Sequence, residues 1–230
     1  TEGARVVCQG VVGAFSHKAA RSFFGEISPS FEPTFQQVFE DVATGSADFG
    51  VLPVENSAAG SVTAVYDLIL RYRFYIVGAV DVKVEHCLAA GKGTGTPTAA
   101  ASHPQALSQC SGYLKSHGLK ALEWSNTAAA AQYVAQKCPP GVAAICSKEA
   151  AREYGLQILQ ENIQNEAENT TRFIVISKDA ILPGDAGKIS LCFSLPHETG
   201  SLSSVLERFA MEGLNLTKIE SRPLPGKNFE

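Results

Sequence analysis

The run Asn169-Thr170-Thr171-Arg172-Phe173 sets a hydroxyl, a guanidinium and an aromatic ring side by side, directly before the apolar run Ile174-Val175-Ile176. In a strand, alternate side chains point to opposite faces. Thr171 and Phe173 then share one face, and Arg172 reaches from the other face or from the strand's frayed end. A Thr hydroxyl can donate to a leaving oxygen or bind an anion. An Arg fork matches a carboxylate in shape and charge. The alternative is a capping Thr followed by a surface Arg, ordinary content for a loop that becomes a strand.

Other polar turns share this character. Glu55-Asn56-Ser57 and Gly60-Ser61 follow the strand-like run Phe49 to Val54, and Ser61 is placed to cap a helix. Ser102-His103-Pro104-Gln105 opens another helix, with Pro104 suited to its first turn. Ser125-Asn126-Thr127 caps a third. Polar turns at the carboxyl ends of strands are where open α/β sheets bind ligands. A fourth candidate is the Gln9–Gly13 loop before a helix that Ser16 would cap, an arrangement that suits an anion. It is no dinucleotide fingerprint, because GxGxxG is absent.

These turns need a scaffold, and the periodicity predicts one. Strand-like and helix-like runs alternate: Phe35, Val38, Phe39 and Val42 fall at helical spacing, as do Ala106, Leu107, Cys110, Tyr113 and Leu114. Alternation of this kind predicts a mainly parallel sheet with helices on its faces. Two extended crossings, Phe74 to Ala89 and Leu156 to Asn169, divide it into two lobes. We expect a domain over 1–180, with lobe one at about 1–80 and 156–180 and lobe two at about 81–155. The polar turns would line the cleft between the lobes. After the linker Leu182-Pro183-Gly184-Asp185, Lys188 to Leu195 and Leu216 to Ser221 read as strands flanking a helix that carries Leu202, Val205, Leu206 and Phe209. A βαβ piece of this size buries too little alone, so 187–230 reads as part of a small domain that has been cut.

Bulk properties exclude several classes. The chain has 230 residues, 45% hydrophobic, enough for a sizeable core, and a net charge of −4 gives no electrostatic case for nucleic acid or an anionic membrane. No apolar run is long enough for a bilayer span. The chain opens on Thr1 without an initiator Met or apolar leader, which reads as a missing upstream portion or a cut chain. Six scattered cysteines without CxxC spacing, and five dispersed histidines, point to a reducing compartment, no disulfide framework and no metal site.

Taken in order, six motifs resemble one family. They are Gly10-Val11-Val12-Gly13-Ala14-Phe15-Ser16, then Leu52-Pro53-Val54-Glu55-Asn56-Ser57 with Gly60-Ser61, and Ser102-His103-Pro104-Gln105-Ala106-Leu107. Asn126-Thr127-Ala128, Thr171-Arg172-Phe173 and Glu220-Ser221-Arg222-Pro223 complete the set. The chain resembles prephenate dehydratases of the bacterial type, with a C-terminal ACT regulatory domain. Val12 and Phe15 stand where the family usually has Pro and Tyr, and Gly200-Ser201-Leu202-Ser203 stands where it often has GALV.

The resemblance implies a two-lobed, periplasmic-binding-protein-like α/β domain with a cleft, followed by a partial ferredoxin-like ACT α+β domain. It implies loss of water and carbon dioxide from prephenate, without cofactor or metal. Thr171, Arg172 and Phe173 would be catalytic, and Ser16, Glu55, Asn56, Ser57, Ser61, His103, Gln105, Asn126 and Thr127 would bind substrate. Gly200, Leu202, Glu220, Ser221, Arg222 and Pro223 would sense L-phenylalanine as an allosteric inhibitor, in a homodimer or homotetramer. The cytoplasm is the expected location, or the plastid stroma in a plant or alga. Two rival readings remain: an arogenate dehydratase with the same chemistry, and a small-molecule-binding module without any.

Overall fold

The computed structural model describes residues 3–181, 184 and 186–222. The first lobe runs β1 (Val6–Gln9), α1 (Phe15–Phe24), β2 (Ser30–Glu32), α2 (Phe35–Thr44), β3 (Phe49–Asn56), β4 (Gly60–Ser61), α3 (Thr63–Tyr72) and β5 (Tyr75–Lys83). The second runs β6 (Cys87–Ala90), β7 (Ala99–Ser102), α4 (Pro104–Gln109), α5 (Ser111–Ser116), β8 (Lys120–Glu123), α6 (Thr127–Lys137), β9 (Val142–Cys146), α7 (Lys148–Glu153) and β10 (Gln157–Gln160). The chain then returns to the first lobe as β11 (Thr170–Ser177). A single helix, α8 (Ser201–Met211), follows in the remainder.

Each lobe is a mixed sheet rather than a mainly parallel one. In the first, the order is β2-β1-β3-β11-β5, with β1 parallel to β2 and β3 and with β11 antiparallel to β3 and β5. In the second, the order is β10-β6-β9-β7-β8, with β7 parallel to β8 and β9 and with β6 antiparallel to β9 and β10. The antiparallel members are the strands that flank the two crossings, since a chain returning without a helix must run against its neighbour. Residues 156–159, expected in lobe one, belong instead with the second lobe, because β10 is captured there by β6.

Helix ends follow local chemistry. Thr34 accepts from the Gln37 amide, Asn126 from Ala129 and Ser147 from Ala150. Two expected caps fail. Helix α1 starts at Phe15, and Ser16 instead donates its hydroxyl back to the Gln9 carbonyl at 2.6 Å. Ser61 lies in β4, paired with Glu55, and Val62 precedes α3 without a side-chain cap.

Two apolar layers clothe the first sheet. On one side Val7, Leu52, Ile174 and Ile176 meet Val38, Phe39 and Val42 of α2 and Val65 of α3. On the other, Val6, Cys8, Val51, Phe173 and Val175 meet Ala19 and Ala20 of α1. Burial of each large side chain in these layers stabilises the fold by about 1.5–3 kcal/mol. Small residues dominate the second lobe, where Ala89, Ala128, Ala131, Ala144 and Ala150 are fully buried. They let α6 and α7 approach the sheet closely.

Contacts divide the chain into a unit over Thr1–Asp185 and a second over Ala186–Glu230. In the second unit α8 forms behind Gly200, whose carbonyl accepts from the Ser203 and Ser204 hydroxyls. The runs Lys188 to Leu195 and Leu216 to Ser221, expected as strands, form no strand ladder among the described residues, and Ile189, Leu191 and Ile219 are exposed. Alternating apolar residues make a strand only where a neighbour completes the ladder. The expected ACT sheet is therefore not formed among the described residues.

Candidate functional site

Across β3 and β11 the pairing carries a bulge: Arg172 lies opposite Glu55, but Phe173 lies opposite Pro53. The extra residue, Val54, falls beside a proline that has no N–H for the ladder. Leu52 and Val54 face the α2 and α3 side. Strict alternation would send Asn56 the same way. The bulge turns Asn56 to the opposite side, where it meets Thr171.

Asn56 is 7% exposed and has its full hydrogen-bonding capacity in use. Its Oδ1 accepts from the Ala58 and Ala59 amides at 3.0 and 2.9 Å, which fixes the amide's orientation. Its Nδ2 donates to Asn169 Oδ1 and to Thr171 Oγ1, both at 2.8 Å. Thr171 therefore uses its hydroxyl oxygen as an acceptor on the protein side, and its own proton is left to be given to something else.

That something can sit in a cavity of about 100 Å³ between the lobes. Asn56, Thr171 and Phe15 line it from the first lobe, Val84 and His86 from the crossing, and Gln105, Ala106, Gln109 and Thr127 from the second. His86 is the one imidazole among these side chains and none is a carboxylate, ammonium or guanidinium; burial pushes the His86 pKa below its ordinary value while its bond to Gln109 pulls the other way. The lining is a ring of amides and hydroxyls around aromatic and aliphatic walls, suited to a small ligand with several acceptor oxygens.

Of the residues singled out in the sequence, Asn56, Gln105, Thr127 and Thr171 meet here. The others lie elsewhere. Arg172 sits one residue off the cavity face, and its fork is taken by Asp81 of β5 at 2.8 and 2.9 Å. Glu55 pairs across β3 and β11 with Arg172 and so shares that other side. Phe173 is a core residue. Ser57 Oγ accepts from the Thr170 amide, holding the turn closed. Ser102 is buried and donates to the Ile145 carbonyl, while His103 Nδ1 caps α4 by accepting from Gln105. Asn126 is occupied as the cap of α6. Ser16 donates to Gln9 O and Ser61 pairs with Glu55 in β4, and neither lines the cavity. Of the expected regulatory residues, Gly200 caps α8, Leu202 is half exposed, and Glu220, Ser221 and Arg222 lie in an irregular run; Pro223 is outside the described residues.

Phe15, Val84, His86, Ala106 and Gln109 were not expected as site residues. Gln109 had a usable signal, since it stands four residues after Gln105 and shares a helix face with it. His86, between two strands, had none.

Three amides of the Gly10–Ala14 loop are already spent within the first lobe: Gly10 N donates to Glu32 O, Gly13 N to His17 Nδ1 and Ala14 N to Val11 O. The loop also clasps the second lobe: Tyr154 donates to the Val12 carbonyl at 2.8 Å and Ser147 donates to the Gly13 carbonyl at 3.2 Å, while Lys18 of α1 pairs with Glu149 at 2.8 Å. Gly13 has φ +83°, and an added Cβ would lie 2.9 Å from Ala150 Cα. Gly13→Ala is expected to cost about 2–4 kcal/mol, the sum of left-handed strain and overpacking against backbone. Urea unfolding checks this; an unchanged midpoint would mean that the clasp is slack.

The chain is a two-lobed α/β protein with a cavity at the junction of its lobes. The chain belongs to the prephenate dehydratase family, whose model, described as prephenate dehydratase, matches residues 6–181. It is 41% identical over 224 residues to arogenate dehydratase/prephenate dehydratase 2, chloroplastic, of Arabidopsis thaliana, covering 96% of this chain and 59% of that one. It is 35% identical over 236 residues to the bifunctional chorismate mutase/prephenate dehydratase of Escherichia coli strain K12, covering 99% of this chain and 61% of that one. Among solved structures, prephenate dehydratase from Arthrobacter aurescens in complex with L-Phe superposes with a TM-score of 0.84 at 30% identity, covering 96% of this chain and 77% of that one. The chain thus spans under two thirds of the length of these curated relatives.

Proposed function

We propose that the chain catalyses the decarboxylating dehydration of prephenate to phenylpyruvate, a carbon–oxygen lyase step toward phenylalanine. The observation that carries the reading is the Thr171 hydroxyl, oriented by Asn56 at 2.8 Å on the wall of the cavity. The C4 hydroxyl of prephenate departs under a hydrogen bond from Thr171 and becomes water by taking one proton from solvent. The electron pair of the C1–carboxylate bond moves into the ring as carbon dioxide departs, and aromatisation supplies the driving force. One proton is taken up overall, and no electrons are exchanged with a carrier. A weak acid suffices, because the donor has only to stabilise charge that develops on the departing oxygen.

In this reading Gln105, Gln109 and Thr127 bind the substrate's carboxylate and carbonyl oxygens, while Phe15 packs on the ring. The Arg172–Asp81 pair pins the strand that carries Thr171 to β5. L-Phenylalanine acts as a feedback inhibitor through the segment after Ala186, in a homodimer or homotetramer. The L-Phe complex of the Arthrobacter relative supports L-phenylalanine as the ligand. The location is the cytoplasm, or the plastid stroma in a plant or alga.

Arogenate is the second substrate to test, since the Arabidopsis relative is named for both activities. The test is incubation of the purified chain with each substrate, following phenylpyruvate and phenylalanine. Neither product above the uncatalysed rate would refute the reading.

A further inference from the structure

His86 is 2% exposed, yet its imidazole makes a single side-chain hydrogen bond. Its Nε2 lies 2.9 Å from Gln109 Oε1, and its Nδ1 is the one buried side-chain polar atom without a partner among the described residues. An apolar side chain would fill the same space without leaving a ring nitrogen unsatisfied, and buried polar groups without partners are selected against unless they do something else. What the ring supplies is one N–H. Gln109 Oε1 can only accept, so the proton sits on Nε2 and Nδ1 is bare. Phe15 holds the ring by an edge contact at 5.8 Å, and the backbone on both sides is tied: His86 N donates to Gln164 Oε1 and His86 O accepts from Ile163 N.

Gln109 is the recipient of this order. Its carbonyl oxygen is taken by His86, and its side-chain Nε2 has no protein partner among the described residues. An isolated glutamine amide can rotate by half a turn and present either an acceptor or two donors. With Oε1 clamped, only the donors remain available at the cavity that both residues line.

We propose that His86 is a positioning residue that locks the Gln109 amide with its N–H pair presented to an oxyanion of the ligand, the carboxylate or keto oxygen of an α-keto acid. The lock gives the uncharged cavity a fixed two-donor grip on that group, in the manner of a preorganised oxyanion site. The inference rests on the proposed function for the identity of the ligand.

The test is calorimetric titration of the full chain with phenylpyruvate, alongside prephenate turnover and thermal melting. Q109L and H86L are each expected to weaken phenylpyruvate binding by about tenfold, the loss of one good polar contact. The H86L/Q109L double variant is expected to bind no more weakly than Q109L, because His86 acts only through Gln109. H86Q, whose Nε2 can donate to the same oxygen, is expected to recover most of the affinity. A merely structural His86 would lower the melting temperature in H86L and H86Q alike, and its effect would multiply with that of Q109L; that result overturns the proposal. So does wild-type affinity in H86L, or no saturable phenylpyruvate binding by the wild type. Wild-type protein that shows the non-additive pattern but does not turn over prephenate would refute the dehydratase reading and leave the lock standing.

Discussion

Thr171→Ala is expected to lose turnover of prephenate by roughly 10²–10⁴-fold, the usual worth of a positioned proton donor. It should lose only about 1 kcal/mol of stability, since one neutral hydrogen bond is removed. The asymmetry follows from the geometry. Thr171 receives the Asn56 N–H on its oxygen, so the protein does not consume its proton. Thr171→Ser keeps a hydroxyl at the same place and should stay within about tenfold of the wild type, the cost of a rotor freed from its methyl group. Stopped-time assays of phenylpyruvate, with urea unfolding on the same samples, separate the two quantities. An Ala variant that keeps the wild-type kcat would reduce Thr171 to a brace for Asn56.

The second large effect belongs to Asn56. Asn56→Ala removes four hydrogen bonds of 3.0 Å or less from a buried site. At about 1 kcal/mol each before solvent partly compensates, the expected loss of stability is about 2–4 kcal/mol. Turnover should fall as well, because Thr171 loses the partner that orients it. Asn56→Asp separates the two roles. Its carboxylate still accepts from the Ala58 and Ala59 amides, so the turn survives. Its second oxygen, however, replaces Nδ2 and draws the Thr171 proton to itself, away from the cavity. Asn56→Asp should therefore lose turnover about as severely as Thr171→Ala while being more stable than Asn56→Ala. Wild-type kcat in Asn56→Asp would show that the direction of this hydrogen bond does not matter to the chemistry.

Most strands and helices of both lobes were legible from periodicity, though the strands Ala99–Ser102 and Gly60–Ser61 were not, and so was the shared face of Thr171 and Phe173 on β11. What periodicity could not deliver was the face of Asn56, because one residue of bulge at Pro53 inverts the alternation. The same limit hid the fate of Arg172. Its sequence neighbours suggest a carboxylate site, but only the β5 register reveals that Asp81 stands directly across from it. The polar turns illustrate a different limit. His103 and Asn126 look like ligand residues and are spent on the helix starts beside them, since Asn and His side chains serve caps as readily as substrates, and Ser102 is spent on the Ile145 carbonyl of the neighbouring strand. Motif spacing reached Gln105 and Thr127 because each lies one step inside a helix whose first turn faces the cavity. His86 contributes through a contact with a residue 23 positions away, and no local pattern announces such a pair. Beyond Ala186 the helix was legible, because an amphipathic helix carries its own hydrogen bonds. The strands were not realised among the described residues, because theirs must come from a neighbour.

The most direct measurement is the fate of prephenate itself. The purified chain, incubated with prephenate at neutral pH, is predicted to release phenylpyruvate and carbon dioxide in equal amounts at a rate far above the uncatalysed one, and Thr171→Ala is predicted to lower that rate by roughly 10²–10⁴-fold. Prephenate that decays no faster with the wild-type chain than with buffer would contradict the account, as would equal rates in the wild type and Thr171→Ala.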